Sequence, residues 1–329
     1  MTSAISATTL VTALRRAAVR ATLAPSVHNT QPWRLHLKDG RLDIHSDRSR
    51  QLAVLDPSSR QLLISCGCAV MNARVSLAGS GVAVDVRRNP HPLHGDLLAS
   101  LTPDAAPPSR GLAALDPVIE VRQTNRRHFA DEQVPQSVLD VLEAAASAEG
   151  ASLHIVGDAD QRLAVADLSQ RADDIENLNP AYRAELRAWT SDDPNRRDGV
   201  PPLAVPRVDG SAQDDVPIRD FDTRGEGGLP AATRSSKDQT LVLLCTAGDS
   251  PAEWLRAGEA LERVLLETTR HGFSASPLTQ VTEVPSARAQ LRRELKLVEY
   301  PHVLLRIGRA PVTPASRRRR LTDVLVDES

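Results

Sequence analysis

The most constraining feature of this chain is that it repeats itself. Gly67 and Gly81 recur as Gly258 and Gly272, each 191 positions later (258 less 67, 272 less 81). The apolar positions between them correspond as well, Ala69, Val70, Ala73 and Val75 matching Ala260, Leu261, Val264 and Leu266. Upstream, Leu14-x-x-Ala17-Ala18 returns as Leu142-x-x-Ala145-Ala146, 128 positions on (142 less 14), and Leu35-His36-Leu37 is echoed by Leu153-His154-Ile155, 118 positions on (153 less 35). Matches in one order along a chain point to a duplicated unit rather than to chance likeness among Ala-rich helices.

The offsets also say where the copies differ. The loop between first helix and first strand is 10 residues shorter in the second copy (128 less 118), and the second copy gains 73 residues (191 less 118) before its long helix. That insertion falls within about residues 158–238. Arg162 to Trp189 has helical periodicity interrupted at Asn179-Pro180, and Asp192 to Lys237 is dense in Pro, Gly and Asp. Long irregular segments in compact domains are commonly lids, binding loops or disordered surface, and a lid over the site is the expectation here.

Each copy reads as α+β. In the first, helical spacing of Leu10, Leu14, Ala17, Ala18 and Ala21 stops before Pro25. Short strands around Arg34–Leu37 and Arg41–Ile44 flank Asp39-Gly40, a hairpin turn. Asp56-Pro57 has the chemistry of a helix start, Gly79 and Gly81 that of its end, and Val82–Val86 reads as a strand. With 329 residues, 41% of them hydrophobic, the chain can bury a large core. A net charge of −2 gives no general electrostatic case for nucleic acid or an anionic membrane. Cys66, Cys68 and Cys245 lie in apolar stretches and read as buried, reduced thiols rather than metal ligands. The first ten residues lack a charged segment followed by an apolar run, so a cytoplasmic protein is expected.

Two segments carry chemistry. Arg122, Thr124 and Arg126 alternate, so an extended backbone would turn two guanidinium groups and a hydroxyl to one side, an arrangement suited to phosphate. Its bland alternative is a solvated charged turn. Ala24-Pro-Ser-Val-His-Asn-Thr-Gln-Pro-Trp33 is stiffened by two prolines and offers Ser26, Asn29 and Gln31 for hydrogen bonds to a planar heterocycle, with Trp33 packing beneath. His28 is open between a structural and a binding role.

These two segments resemble the signatures of the FMN-dependent nitroreductase family, Pro-Ser-x-x-Asn-x-Gln-Pro-Trp and Arg-x-Ser/Thr-x-Arg/Lys-x-x-Phe. The tail, Arg306-Ile-Gly-Arg-Ala-Pro311 with Arg317-Arg-Arg-Arg320, is similar to the family's closing strand and late basic pair. The resemblance implies FMN bound by Pro25, Ser26, His28, Asn29 and Gln31 from one half and by Arg122, Thr124 and Arg126 from the other. It further implies Arg318 and Arg320 at the phosphate, and Ser276, Pro277 and Leu278 along the ring. Read without it, the four arginines are a solvated basic tail.

In ordinary members the phosphate motif precedes the Pro-Ser loop and two subunits share each flavin. Here the order is reversed, as in the dormancy-associated, Acg-like branch, where one chain imitates the dimer. The expected architecture is a nitroreductase-like fold duplicated in one chain, two sheet-and-helix halves (1–112 and 113–329) forming a pseudo-dimer. The strand near Val303–Ile307 is expected to cross into the other half's sheet. The first half has no phosphate motif of its own and Glu149-Gly-Ala-Ser152 stands where the second half's loop would be, so one FMN per chain is expected. The implied activity is hydride transfer from NAD(P)H to a small acceptor, a nitroaromatic or quinone, with no side chain needed as nucleophile. The rival is a protein that stores FMN with little turnover. Neither nucleic acid nor membrane is expected as a partner, and the chain is expected to be a monomer imitating a dimer, with further oligomerisation open.

Overall fold

The computed structural model describes residues 6–89, 95–207, 216–222, 225, 227–230 and 239–329. The opening residues 1–5 and much of the Pro/Gly/Asp-rich stretch read from the sequence, including Glu226, lie outside them. The first half runs α1 (Ala7–Ala21), β1 (Trp33–Lys38), β2 (Arg41–Ser46), α2 (Arg60–Gly79), β3 (Ala83–Arg88) and β4 (Leu97–Asp104). After the short α3 (Arg110–Ala113) and an extended crossing, the second half runs α4 (Gln136–Ser147), β5 (Ser152–Ile155), α5 (Ala159–Asn177), α6 (Pro180–Ala188) and β6 (Thr240–Thr246). It continues with α7 (Pro251–Arg270), β7 (Ser274–Pro277), α8 (Gln280–Glu283), α9 (Pro285–Glu294) and β8 (Tyr300–Gly308), and the chain closes with β9 (Leu325–Asp327).

The duplication is visible in strand order. The first sheet is β3-β4-β2-β1-β9 and the second β7-β8-β6-β5, the same sequence of equivalent strands with β9 added beside β1. Sheet neighbours within each half are antiparallel, whereas β9 runs parallel to β1, pairing Leu35 with Leu325. The strand that joins the other half's sheet is therefore β9. The strand expected to cross, β8, instead lies between β6 and β7, because its residues from Pro301 to Gly308 are all buried and need neighbours on both edges.

The glycines that revealed the repeat occupy its symmetry axis and its helix ends. α2 and α7 cross where Gly67 and Gly258 touch. A Cβ on Gly67 would lie 2.1 Å from the carbonyl oxygen of Leu255, and one on Gly258 would lie 2.0 Å from that of Ile64. Residues 64 and 255 are themselves 191 apart, so the two contacts are images of one another. Gly81 and Gly272 both have φ +78° and end their helices alike. In each case the next residue donates backward, Val82 to the Leu77 carbonyl at 2.9 Å and Phe273 to that of Thr268 at 3.0 Å.

Local chemistry explains the other starts and turns. Asp39 and Gly40 have φ 51° and 69° and join β1 to β2 in the two-residue turn expected of Asp-Gly. α2 begins three residues later than the Asp56-Pro57 signal, at Arg60. The Asp56 carboxylate nonetheless caps it by accepting from the Leu62 N–H at 2.9 Å across a left-handed Ser59. α2 has the length and apolarity of a membrane span, yet it is 89% buried, packed between α1 and α7 as a core helix. All three cysteines are free and buried, and burial pushes their thiols well up, Cys245 to about 12.

The insertion opens with α5 and α6, separated at Asn179, whose side chain caps α6. Its apolar residues Tyr182, Leu186, Val200, Val205 and Phe221 pack on Leu52 and Leu55 of the first half. The Glu185 carboxylate accepts from the N–H groups of Val54 and Leu55 at 3.0 and 2.9 Å, and Arg50 pairs with Asp198. A segment that belongs by sequence to the second half is thus fastened across the first.

Candidate functional site

Between the halves lies a cavity of about 100 Å³. The first half contributes Pro25, Ser26 and His28 from the loop after α1, and Gln61, Ile64, Ser65 and Cys68 from α2. The second contributes Thr124 and Arg126, Leu261 and Leu265 of α7, and Pro277 and Thr279 at the end of β7. Arg219 and Phe221 of the insertion close it. The two motifs, nearly a hundred residues apart, meet here because Thr124 bridges to Ala275 of β7 while α2 holds the first-half loop at the same axis, its Ser65 hydroxyl accepting from the Val27 N–H.

A planar ring already sits in this slot. Phe221 lies 4.9 Å beneath the Arg126 guanidinium and 5.3 Å from the His28 ring, which meets it edge-on. Arg126 has no carboxylate partner among the described residues, and burial together with Arg219 lowers it to about 10. His28, left-handed at φ 47°, has no hydrogen bond on either ring nitrogen among those residues. Burial, reinforced by Arg219 and Arg126, keeps it neutral. Arg219 is held by Glu176, Glu283 and the Tyr182 hydroxyl, and it donates to Thr279 Oγ1 at 3.3 Å.

Arg122 belongs to a neighbouring cluster. Together with Arg318 it donates to the Leu23 carbonyl, at 3.3 and 3.2 Å, and its Nε lies 3.2 Å from the carboxylate of Glu262 on α7. Burial raises Glu262 to about 7 against the pull of Arg122, while burial and Arg122 lower Arg318 to about 10. The alternation of Arg122, Thr124 and Arg126 therefore serves two adjoining places, an arginine pair and the slot. Arg320 is exposed and stands outside the pair.

The loop amides do other work. Asn29 donates to the carbonyls of Gly199 and Arg317 at 3.0 and 3.1 Å and accepts from Arg318 at 3.1 Å. Gln31 donates to the Arg197 carbonyl at 2.9 Å and accepts from the Arg319 N–H at 2.8 Å. Both tie the insertion and the tail to the loop. Ser276 is buried, its hydroxyl unpartnered among the described residues, and Leu278 packs into the core with Val165 and Leu168 of α5. Of the stretch 276–278, only Pro277 lines the slot.

Sequence reading missed Gln61, Cys68, Leu265, Arg219 and Phe221. The helix residues look like ordinary core, and single residues in an irregular insertion leave no pattern. One signal was available: the repeat offset pairs cavity residues Cys68, Leu265 and Thr279 with Glu259, Arg74 and Arg88. At the symmetry-related place those three are charged and bond to one another, Arg74 to Glu259 at 2.7 Å and Arg88 to Glu259 at 2.6 Å. Glu149, in the segment replacing the second loop, adds contacts to Arg74 and, at 2.6 Å, to Arg263. Ion pairs fill the image of the slot.

No protein-family model matches the chain. Among curated proteins, it is 32% identical over 307 residues to "Putative NAD(P)H nitroreductase Rv3131" of Mycobacterium tuberculosis H37Rv, covering 92% of this chain and 88% of that protein. It is 30% identical over 309 residues to "Putative NAD(P)H nitroreductase acg" of the same organism, covering 92% and 91%. Among solved structures, a nitroreductase with bound FMN from Desulfitobacterium hafniense DCB-2 matches 64% of this chain and 96% of its own at 10% identity and a TM-score of 0.41.

Proposed function

The chain belongs to the Acg-like NAD(P)H nitroreductases, and from that premise we propose that it is an FMN-dependent oxidoreductase with one flavin per chain. When bound, FMN supplies hydride transfer from NAD(P)H to a nitroaromatic, quinone or similar small acceptor. The observation that carries this reading is the slot itself, where Pro25, Ser26 and His28 of one half face Thr124 and Arg126 of the other. The residues fit a flavin in kind. Apolar walls from Ile64, Leu261 and Leu265 suit a flat ring, and Phe221 marks a place where one is held between Arg126 and His28. In volume the slot is below the ~300 Å³ of small-ligand pockets, so Phe221 has to give up its place to a flavin.

Arg126 then supplies an unneutralised positive charge against the ring, worth most in a site shielded from water. Arg122 and Arg318 are the pair for the phosphate, with Glu262 holding Arg122 in position. Asn29 and Gln31 act indirectly, fastening the insertion as a lid and the tail over the loop. The ion pairs at the image of the slot support a single flavin, and a chain that contains both halves of its site works as a monomer.

The test is anaerobic mixing of the yellow protein with NADPH and with NADH. Bleaching by either, followed by reoxidation with a nitroaromatic or quinone, is the expected result. The cover formed by Phe221 and Arg219 favours one rival, storage of the flavin out of reach. Bleaching by dithionite but by neither nucleotide would establish that rival.

A further inference from the structure

Next to the slot, and sharing Gln61 and Glu283 with it, is a larger cavity of about 750 Å³. It opens between the start of α2, α9 and the segment joining α5 to α6. Four arginines line it, Arg60, Arg288, Arg292 and Arg293, as do four acids, Asp56, Glu176, Asp249 and Glu283. With Arg219 behind the wall counted, five guanidinium groups meet four carboxylates, so the site is cationic by one charge. Asp249 accepts both Arg288 amino groups, at 2.8 and 2.9 Å, and the Trp254 indole N–H at 2.6 Å. Glu176 and Glu283 are bound by Arg219, which lies outside this cavity. Asp56 is engaged by the Leu62 N–H at the start of α2.

Arg60, Arg292 and Arg293 consequently have no carboxylate partner among the described residues. Arg60 is buried and, among the described residues, donates to the carbonyls of Thr282 and His302. Arg292 is stacked 3.8 Å over the Tyr300 ring and donates through Nε to the Glu299 carbonyl at 3.0 Å and through Nη2 to that of Val298, which leaves Nη1 for a ligand, and the exposed Arg293 stands at the rim. Gln61, 5% exposed and shared by the two cavities, has no partner for its Nε2 among the described residues. A buried amide donor without a partner is costly unless a ligand or water meets it.

We propose that this outer cavity is a second binding site, for a small aromatic molecule bearing a phosphate or carboxylate. Arg292 and Arg293 receive the anion, Trp254 and Tyr300 flank the ring, and Gln61 meets a polar group at the inner end. The assignment does not depend on a flavin in the neighbouring slot.

Two probes distinguish the sources of the anion, adenosine 2′,5′-bisphosphate for a nucleotide and 4-nitrobenzoate for an aromatic carboxylate. Each is titrated into the protein as purified, followed by tryptophan fluorescence and calorimetry. Saturable binding of either is expected, about tenfold weaker in Arg293→Glu because a rim charge is reversed. In Trp254→Phe the fluorescence change should vanish while calorimetric binding persists. Absence of saturable binding by both probes, an unchanged affinity in Arg293→Glu, or a fluorescence response that survives Trp254→Phe would each overturn the proposal. Flavin content, read from the absorbance of the same samples, separates failure here from failure of the flavin reading.

Discussion

Alanine at Gly258 should destabilise the protein even though alanine is the better helix former. The substitution recovers about 1 kcal/mol of helix propensity. Against this, the new Cβ would stand 2.0 Å from the Ile64 carbonyl oxygen and 2.8 Å from Gly67 Cα, both backbone atoms that no rotamer change can move. Reaching ordinary contact near 3.4 Å requires α2 and α7 to part by more than 1 Å where they cross. A gap of that size forfeits about half or more of each dispersion contact it opens, and overpacking of cores costs about 1–3 kcal/mol, sometimes more. The net loss should be about 2 kcal/mol, measured by equilibrium urea unfolding. Gly111→Ala is the control, since its Cβ meets nothing nearer than 3.9 Å and should be neutral or mildly stabilising. Wild-type stability in Gly258→Ala, with an unchanged denaturant slope, would refute the idea that the two repeats are held together at this glycine crossing.

Other expectations follow from the same geometry. Arg122→Ala with Arg126→Ala should abolish FMN binding in a fluorescence-quenching titration, since each charge-assisted contact is worth about 1.5–3 kcal/mol. Glu262 is raised from 4.5 to about 7, so its contribution to stability is greatest below pH 4.5 and is lost as pH rises through 7. Glu262→Gln, which does not titrate, should therefore gain on wild type between pH 5 and pH 8 by up to about 3 kcal/mol in flavin-free protein. A difference that stays flat with pH in chemical denaturation would contradict this. Glu259→Gln breaks the ion cluster at the image of the slot and should cost about 3–5 kcal/mol in the same assay, with no gain of a second flavin.

The repeat was legible because two kinds of position in it select glycine: the crossing at Gly67 and Gly258, where a Cβ has no room, and the left-handed helix ends at Gly81 and Gly272, which favour it. The Asp39-Gly40 turn was legible for a similar reason. Strand exchange by β9 was not, since three residues carry no periodicity and nothing in Leu325–Asp327 names its partner. In the site, side-chain chemistry was readable but its direction was not. Asn29 and Gln31 have the amides that suit a heterocycle, and the fold uses them on the carbonyls of Gly199, Arg317 and Arg197. Phe221 and Arg219 acquire their role only once α5 and α6 anchor the insertion, a tertiary fact with no local signature.

The central claim is that two incomplete halves build one flavin site. It is tested most directly by the absorbance spectrum of the purified protein after saturation with FMN and removal of the excess, with released flavin counted against protein. One FMN per chain is the predicted result; two per chain, or none, would contradict it.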